Sequence, residues 1–240
     1  PAILVVGHQT DGKSALVEAL MGFQFNHVGG GTKTRRPIAI NMKYNPTAVE
    51  PRCFLIKDDN LGREEELSLP ELQAHIEDEN RRLENENGFW AKDIVVKIEY
   101  KYCPNLTIID TPGLISAAPG RKFSGLQQAS RLVEDLVRNK MQQRDYIILC
   151  LEDCSDWSNA TTRRLVLEAD PELRRTVMVS TKFDTRIPQF SRSQDVEMFM
   201  HPPARLLAPS VLGSGPFFSS VPSGRVGLAR DSQYRSNDHY

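Results

Sequence analysis

Gly7-His8-Gln9-Thr10-Asp11-Gly12-Lys13-Ser14 carries the G-x-x-x-x-G-K-S pattern of a loop that cradles phosphates. Gly7 and Gly12 allow a turn tight enough for successive amides, from His8 to Ala15, to point at phosphate oxygens. Lys13 is expected to supply charge to the β- and γ-phosphates, and the Ser14 hydroxyl to be a ligand for Mg²⁺. Asp110-Thr111-Pro112-Gly113 is a second signature, in which Asp110 would hold a magnesium-bound water and the Gly113 amide would meet the γ-phosphate and sense its loss. Thr181-Lys182-Phe183-Asp184 is a third, and it selects the base. A carboxylate at Asp184 accepts from N1–H and the 2-amino group of guanine, whereas adenine has an acceptor at N1 and no donor at C2. The stem of Lys182 can lie along the purine. Either tetrapeptide alone is an ordinary turn; in this order behind a phosphate loop they describe a GTP site.

The elements that must hold these stretches are legible in the pattern of apolar residues. Ala2-Ile3-Leu4-Val5-Val6 reads as a buried strand and Ala15 to Met21 as a helix, so the phosphate loop joins strand to helix. Between Gly22 and Pro37 lies a loop with Gly29-Gly30-Gly31, where a nucleotide switch belongs, and Thr34 is its hydroxyl for magnesium. A plainer reading of the same loop has Lys33, Arg35 and Arg36 solvating a surface turn. Ile38 to Tyr44 alternates as a strand, with Arg52 to Ile56 as its expected partner. Lys57 to Ser68 is polar and acidic, and Leu69, Leu72, Ile76 and Leu83 mark one stripe of a charged helix whose other face is solvated. Ile94, Val96, Ile98, Tyr100 and Tyr102 fall on the buried side of another strand, and Leu106 to Ile109 runs into Asp110.

Further along, Leu126, Ala129, Leu132, Val133, Leu136, Val137 and Met141 recur at helical spacing within a helix expected over 124–143. Tyr146 to Leu151 and Thr176 to Ser180 read as buried strands, separated by a helix from Thr161 to Ala169 that Asp170-Pro171 stops. Beyond Ile187-Pro188 the chain loosens, loop-rich after His201; Phe217 to Val221 looks like a last strand and 231–240 is polar and frayed. Strands alternating with helices give an α/β fold: a doubly wound, mostly parallel sheet flanked by helices.

A net charge of −1 over 240 residues argues against nucleic acid as a partner. No run of about eighteen apolar residues spans a membrane, and no secretory leader opens the chain. The start at Pro1, directly on the first strand, points to an excised fragment. Cys53, Cys103, Cys150 and Cys154 are scattered through apolar contexts. Cys150-x-x-x-Cys154 lacks a second pair to complete a metal site, so buried free thiols in a reducing cytosol are expected.

Taken in order and spacing, the phosphate loop with Gln9, Thr34-Arg35-Arg36-Pro37, Asp110-Thr111-Pro112-Gly113 and Thr181-Lys182-Phe183-Asp184 resemble the dynamin-related large GTPases, over essentially the whole chain. The stretches His8 to Ser14, Tyr102 to Asn105 and Leu151 to Trp157 look closer still to the plant branch of plastid division. The resemblance implies a GTPase motor domain, P-loop and dynamin-type, spanning 1–240. Its parent would constrict the chloroplast outer envelope from the cytosolic face, with peroxisomes as a second location. Membrane contact would come only through a stalk and lipid-binding region absent from this chain. It also implies roles: Gln9 positions the attacking water, Thr34 orients it, Thr10 helps hold a monovalent cation (Na⁺ or K⁺) with carbonyls of Gly29 and Gly31, and Asp156 reaches into the partner of a nucleotide-dependent homodimer. Ser155-Asp156 is equally a plausible helix cap.

Two departures from the family pattern stand out. Asp11 occupies a place that is generally small, and its carboxylate is expected to point outward rather than to recruit a cation. Pro222-Ser223-Gly224-Arg225 matches the family's base loop in position alone. A rival reading is a nucleotide-switched scaffold that binds GTP with little turnover; an ATP-dependent enzyme is disfavoured by Asp184. Asp184→Asn should weaken GTP and improve xanthosine triphosphate relative to it, because an acceptor becomes a mixed donor and acceptor. Competition binding of the two nucleotides checks this, and an unchanged preference would mean that Asp184 does not read the base.

Overall fold

The computed structural model describes residues 2–23, 34–58, 62–115, 125–154, 161–201 and 216–220. In chain order these form β1 (Ala2–Val6), α1 (Lys13–Met21), β2 (Ile38–Tyr44), β3 (Arg52–Ile56), β4 (Glu64–Leu67), α2 (Leu69–Asn85), β5 (Ile94–Tyr100) and β6 (Leu106–Asp110). There follow α3 (Gly125–Met141), β7 (Tyr146–Asp153), α4 (Thr161–Ala169), β8 (Thr176–Thr181), α5 (Phe183–Arg186), a 3₁₀ turn (Ile187–Gln189), α6 (Ser193–Met200) and β9 (Phe217–Phe218). The fold is α/β, and the chain divides into two compact units, Pro1–Lys13 with Thr111–Ser220, and Ser14–Asp110 with Val221–Tyr240.

In the first unit every strand pair is parallel, in the order β1-β7-β8-β9. Strands covered on both faces must be apolar throughout, and Leu4, Val5, Val6, Ile148, Cys150 and Leu151 are all fully buried. Helix α3 packs on β1 through Val133, Val137 and Met141, also fully buried. Leu132 does not share that stripe: it is 43% exposed, because neighbours on a helix point about 100° apart and Val133 takes the inward position. Helix α4 ends where Asp170 turns its carboxylate onto the amides of Arg174 and Arg175 and the hydroxyl of Thr176 (2.6 Å), which launches β8. Helix α6, which the sequence left as loosened chain, contributes Phe199 to an aromatic cluster with Phe183, Phe190 and Phe218.

The second unit is a mixed sheet in the order β4-β3-β5-β2-β6. Here β3 is not the partner of β2. It lies antiparallel between β5 and β4, while β2 is flanked by β5, parallel, and β6, antiparallel. The connection explains the difference: Pro46 and Pro51 punctuate it, and the Asn45 amide is held by the Tyr100 carbonyl at 3.2 Å, so no tight hairpin forms. The acidic run conceals β4, whose three glutamates each meet a cation from a neighbouring strand or its end: Glu64 with Lys97, Glu65 with Lys57 and Glu66 with Arg52. Ser68 then starts α2 with a capping box, its carboxylate partner Glu71 accepting from the Ser68 amide at 2.8 Å. Strand β5 stops at Tyr100; Tyr102 belongs to the following turn and is half exposed.

All four cysteines are buried free thiols. Burial pushes the Cys53 thiol up to about 11, which leaves it protonated and unreactive. The helix α3 contrast gives a direct test. Val133→Ala should cost about 2 kcal/mol, whereas Leu132→Ala should fall within about 0.5 kcal/mol of the parent. Urea denaturation of both variants measures it.

Candidate functional site

The phosphate loop follows β1 and is closed on itself. The Asp11 amide donates to the His8 carbonyl at 3.2 Å, the His8 amide donates to Asp11 Oδ2 at 2.8 Å, and Lys13 Nζ donates to the same His8 carbonyl at 2.7 Å. Gly12 has φ +78°, a left-handed conformation that side chains rarely adopt. Asp11 and Lys13 are each only 6% exposed. Asp11 therefore points inward, correcting the outward orientation expected from the sequence: its carboxylate is drawn in by the His8 amide, which donates to it.

The segment after Asp110 is bonded to this loop. Thr111 is fully buried and donates to the Val5 carbonyl at 2.6 Å. The Gln9 amide donates to the Leu114 carbonyl, and the Leu114 amide to the Gly7 carbonyl. Between them Gly113 lies so close that a Cβ there would sit 2.6 Å from Gln9 Cα, so no other residue fits without moving the backbone. Thr181 joins the same assembly, its hydroxyl donating to the Asp11 carbonyl at 2.8 Å. Gln9, Gly113 and Thr181 are thus brought together around the loop, as the motif order requires.

Lys182 takes a left-handed backbone (φ 57°) at the junction of β8 and α5, a strained conformation that re-aims the chain so that Asp184 stands exposed. The sequence did not reveal what holds Asp184. Its amide donates to Ser220 Oγ at 2.9 Å, and Ser219 bonds both Ser180 and Phe183 through its backbone. The signal available was the Ser219-Ser220 pair directly after the apolar Phe217-Phe218. A second feature missed is a buried ion pair behind the loop. Arg163 bonds Glu152 at 2.5 Å, and Glu152 also accepts the Arg163 amide in the first turn of α4. Burial pushes the Glu152 carboxyl up, Arg163 pulls it down, and the Asp11 charge adds to the rise.

In the second unit the Ser14 hydroxyl lies 3.2 Å from Asp110 Oδ2, and Asp110 is 2% exposed. Two hard oxygen donors at this spacing, one a buried carboxylate, fit Mg²⁺. Ile38 pairs with Asp110 in the β2–β6 register, so the stretch from Thr34 leads directly to the Asp110 end of β6. Thr34 itself is half-buried.

The residues after Thr34 do not solvate a surface turn. Arg36 is 3% exposed; its Nη1 donates to Glu79, Nη2 to Asp58 and the Asp93 carbonyl, and Nε to the Lys92 carbonyl, with Trp90 stacked 4.5 Å from its guanidinium. The Arg35 amide donates to the buried Asn80 side chain at 2.7 Å. The inner part of the α2 charge run is therefore the anchor of this segment rather than a solvated face. Burial pushes Asp58 and Glu79 up, but for Asp58 the bonds from Arg36 and Lys92, and for Glu79 those from Arg82 and Arg36, outweigh it and hold both carboxyls below their ordinary values. Gly29, Gly31, Lys33, Asp156 and 222–225 lie outside the described residues.

A family model described as the dynamin family matches residues 3–183. The chain is 65% identical over 242 residues to Dynamin-like protein ARC5 of Arabidopsis thaliana, covering 100% of this chain and 31% of that protein. It is 33% identical to Dynamin-related protein 5A of the same plant, covering 96% of this chain and 28% of that one. Dynamin-like protein C of Dictyostelium discoideum is 29% identical, with 94% and 29% covered. The chain thus spans less than a third of the length of these relatives.

Arg36→Ala should cost about 3 kcal/mol at neutral pH, because it removes the buried guanidinium that joins Glu79, Asp58 and two backbone carbonyls, and Arg36→Lys should not restore it. Carboxyls lowered by folding stabilise fully above their unfolded values, and that contribution is lost as pH falls through the lowered folded ones. The gap between parent and Arg36→Ala should accordingly close on acidification, as thermal melts across the carboxylate range would record.

Proposed function

Since the chain belongs to the dynamin family, as its GTPase domain, we propose that it binds GTP with Mg²⁺ and hydrolyses it by in-line attack of water to drive constriction of a membrane by a longer parent protein. The observation that carries this reading is the self-bonded loop from Gly7 to Lys13, with Gln9, Gly113 and Thr181 fixed against it. The loop from His8 to Ala15 surrounds the phosphates, with the His8, Gln9 and Asp11 amides spent on shaping it, and Lys13 offsets the charge that develops as the β–γ bond breaks. Gly113 and Gly31 meet the γ-phosphate side. Ser14, Thr34 and Asp110 hold Mg²⁺, which neutralises phosphate charge. Chain continuity supports the division of labour: Lys13 adjoins Ser14, and Asp110 adjoins Thr111.

Thr34 and Gln9 orient the water. The Arg35 and Arg36 anchors support this role for Thr34, because they fix the chain immediately after it and leave the hydroxyl on a short tether. Asp184 and Lys182 recognise guanine. In place of an arginine in the loop, a Na⁺ or K⁺ beside Thr10 supplies the extra charge, and two domains pair through their nucleotide faces with Asp156 reaching across. Identity to Dynamin-like protein ARC5 and the plant-like motifs support a site of action at the cytosolic face of the chloroplast outer envelope, with peroxisomes second. No helix among the described residues is long and apolar enough to cross a membrane. By the family resemblance, membrane contact is assigned to other parts of the parent.

Hydrolysis by this chain should need Na⁺ or K⁺, rise with protein concentration, and be accompanied by a dimer with GDP–AlF₄⁻ that GDP alone does not give. Thr34→Ala should lower turnover about 10²-fold with GDP affinity nearly intact. Turnover in sodium against a bulky organic cation, with light scattering in each nucleotide state, tests all of this. Binding without turnover would favour the switched scaffold instead.

A further inference from the structure

Asp11 places a carboxylate in the phosphate loop, where its charge would repel phosphates. Its geometry gives it another task. Asp11 is buried and makes a reciprocal pair of bonds with His8, amide to carbonyl at 3.2 Å one way and amide to carboxylate at 2.8 Å the other. The second bond closes a ring across the first half of the loop. The Asp11 carbonyl accepts the Thr181 hydroxyl at 2.8 Å, and Thr181 begins the segment that carries Asp184. Oδ2 also fills the space over Gly7, where a Cβ would lie 3.3 Å away.

We propose that Asp11 is a positioning residue whose carboxylate preforms the phosphate loop by holding the His8 amide, while its backbone carbonyl, which any residue would supply, receives Thr181. The proposal rests on the GTP-binding reading. Backbone amides must converge on phosphate, and a loop containing Gly7 and Gly12 would otherwise lose conformational freedom on binding. An acceptor that already fixes one amide of the loop removes part of that cost for any nucleotide, because GDP and GTP share the phosphates the loop surrounds. A small residue at this position, as the family generally has, cannot make the bond to His8.

The bond and the charge make opposite predictions. If the bond matters, Asp11→Ala weakens GDP and GTP alike by about tenfold, since one hydrogen bond that orders the site is lost. The loss falls on KM and on both dissociation constants rather than on kcat. Asp11→Asn, whose amide oxygen still accepts from His8, recovers most of it. If the carboxylate acts chiefly by repelling phosphate, both variants bind more tightly than the parent. Equilibrium titration of the full chain with fluorescent GDP and a non-hydrolysable GTP analogue, with a thermal melt of each variant, decides between them. Unchanged or tighter binding by Asp11→Ala overturns the proposal, as does an Asp11→Asn no better than Asp11→Ala. Should Asp11→Ala fail to fold, Asp11→Asn alone suffices: binding near the parent supports the bond, and tightening refutes it. A parent chain that binds no guanine nucleotide removes the GTP reading, and the proposal with it.

Discussion

Charge buried out of water must be matched by charge or hydrogen bonds, and that constraint organises both units. Asp11, Lys13, Arg36, Asp110, Glu152 and Arg163 are all buried. Behind the phosphate loop, Glu152 and Arg163 neutralise one another while Glu152 ends α4's unsatisfied first turn. Within the loop, the His8 carbonyl gathers Lys13 and the Asp11 amide. In the second unit, Arg36 is surrounded by two carboxylates, two carbonyls and an indole. None of these groups can leave its partners cheaply, so the segments they belong to are rigid where nucleotide chemistry needs rigidity.

Much of this was legible in the sequence, for identifiable reasons. The strands β1, β6, β7 and β8 are legible to within a residue or two at either end because parallel or doubly covered strands are near-continuous apolar runs, and β2 because its residues alternate. The motifs were legible because phosphate and guanine recognition demand particular residue types at fixed spacing. What escaped notice depended on partners distant in the chain. Strand β4 is three glutamates in a row, made possible by lysines and an arginine on or beside neighbouring strands. One partner of β3, β5, could not be read from adjacency, since it comes some forty residues later. Likewise Arg35 and Arg36 look like surface residues until Asn80, Glu79 and Asp58 are seen around them.

The same logic explains Asp11 and Ser220. Both act through backbone amides, His8 in one case and Asp184 in the other, and an amide leaves no trace in the sequence. A carboxylate in a phosphate loop looks unfavourable from composition alone. Its meaning lies in the geometry of one turn, where the side chain reaches back to the residue three places earlier.

Strand β4 pairs on one side with β3 and has no other neighbour in the sheet among the described residues. An open strand edge is a template for another strand, and proteins concentrated on a surface are at risk of zipping together through such edges. Glu64, Glu65 and Glu66 line this one with three carboxylates, each paired with a cation of its own chain. A second strand approaching edge to edge, at a spacing of about 5 Å, would have to disturb those ion pairs and their water. An edge lined by ion pairs is thereby a poor template for another strand, although its backbone is open.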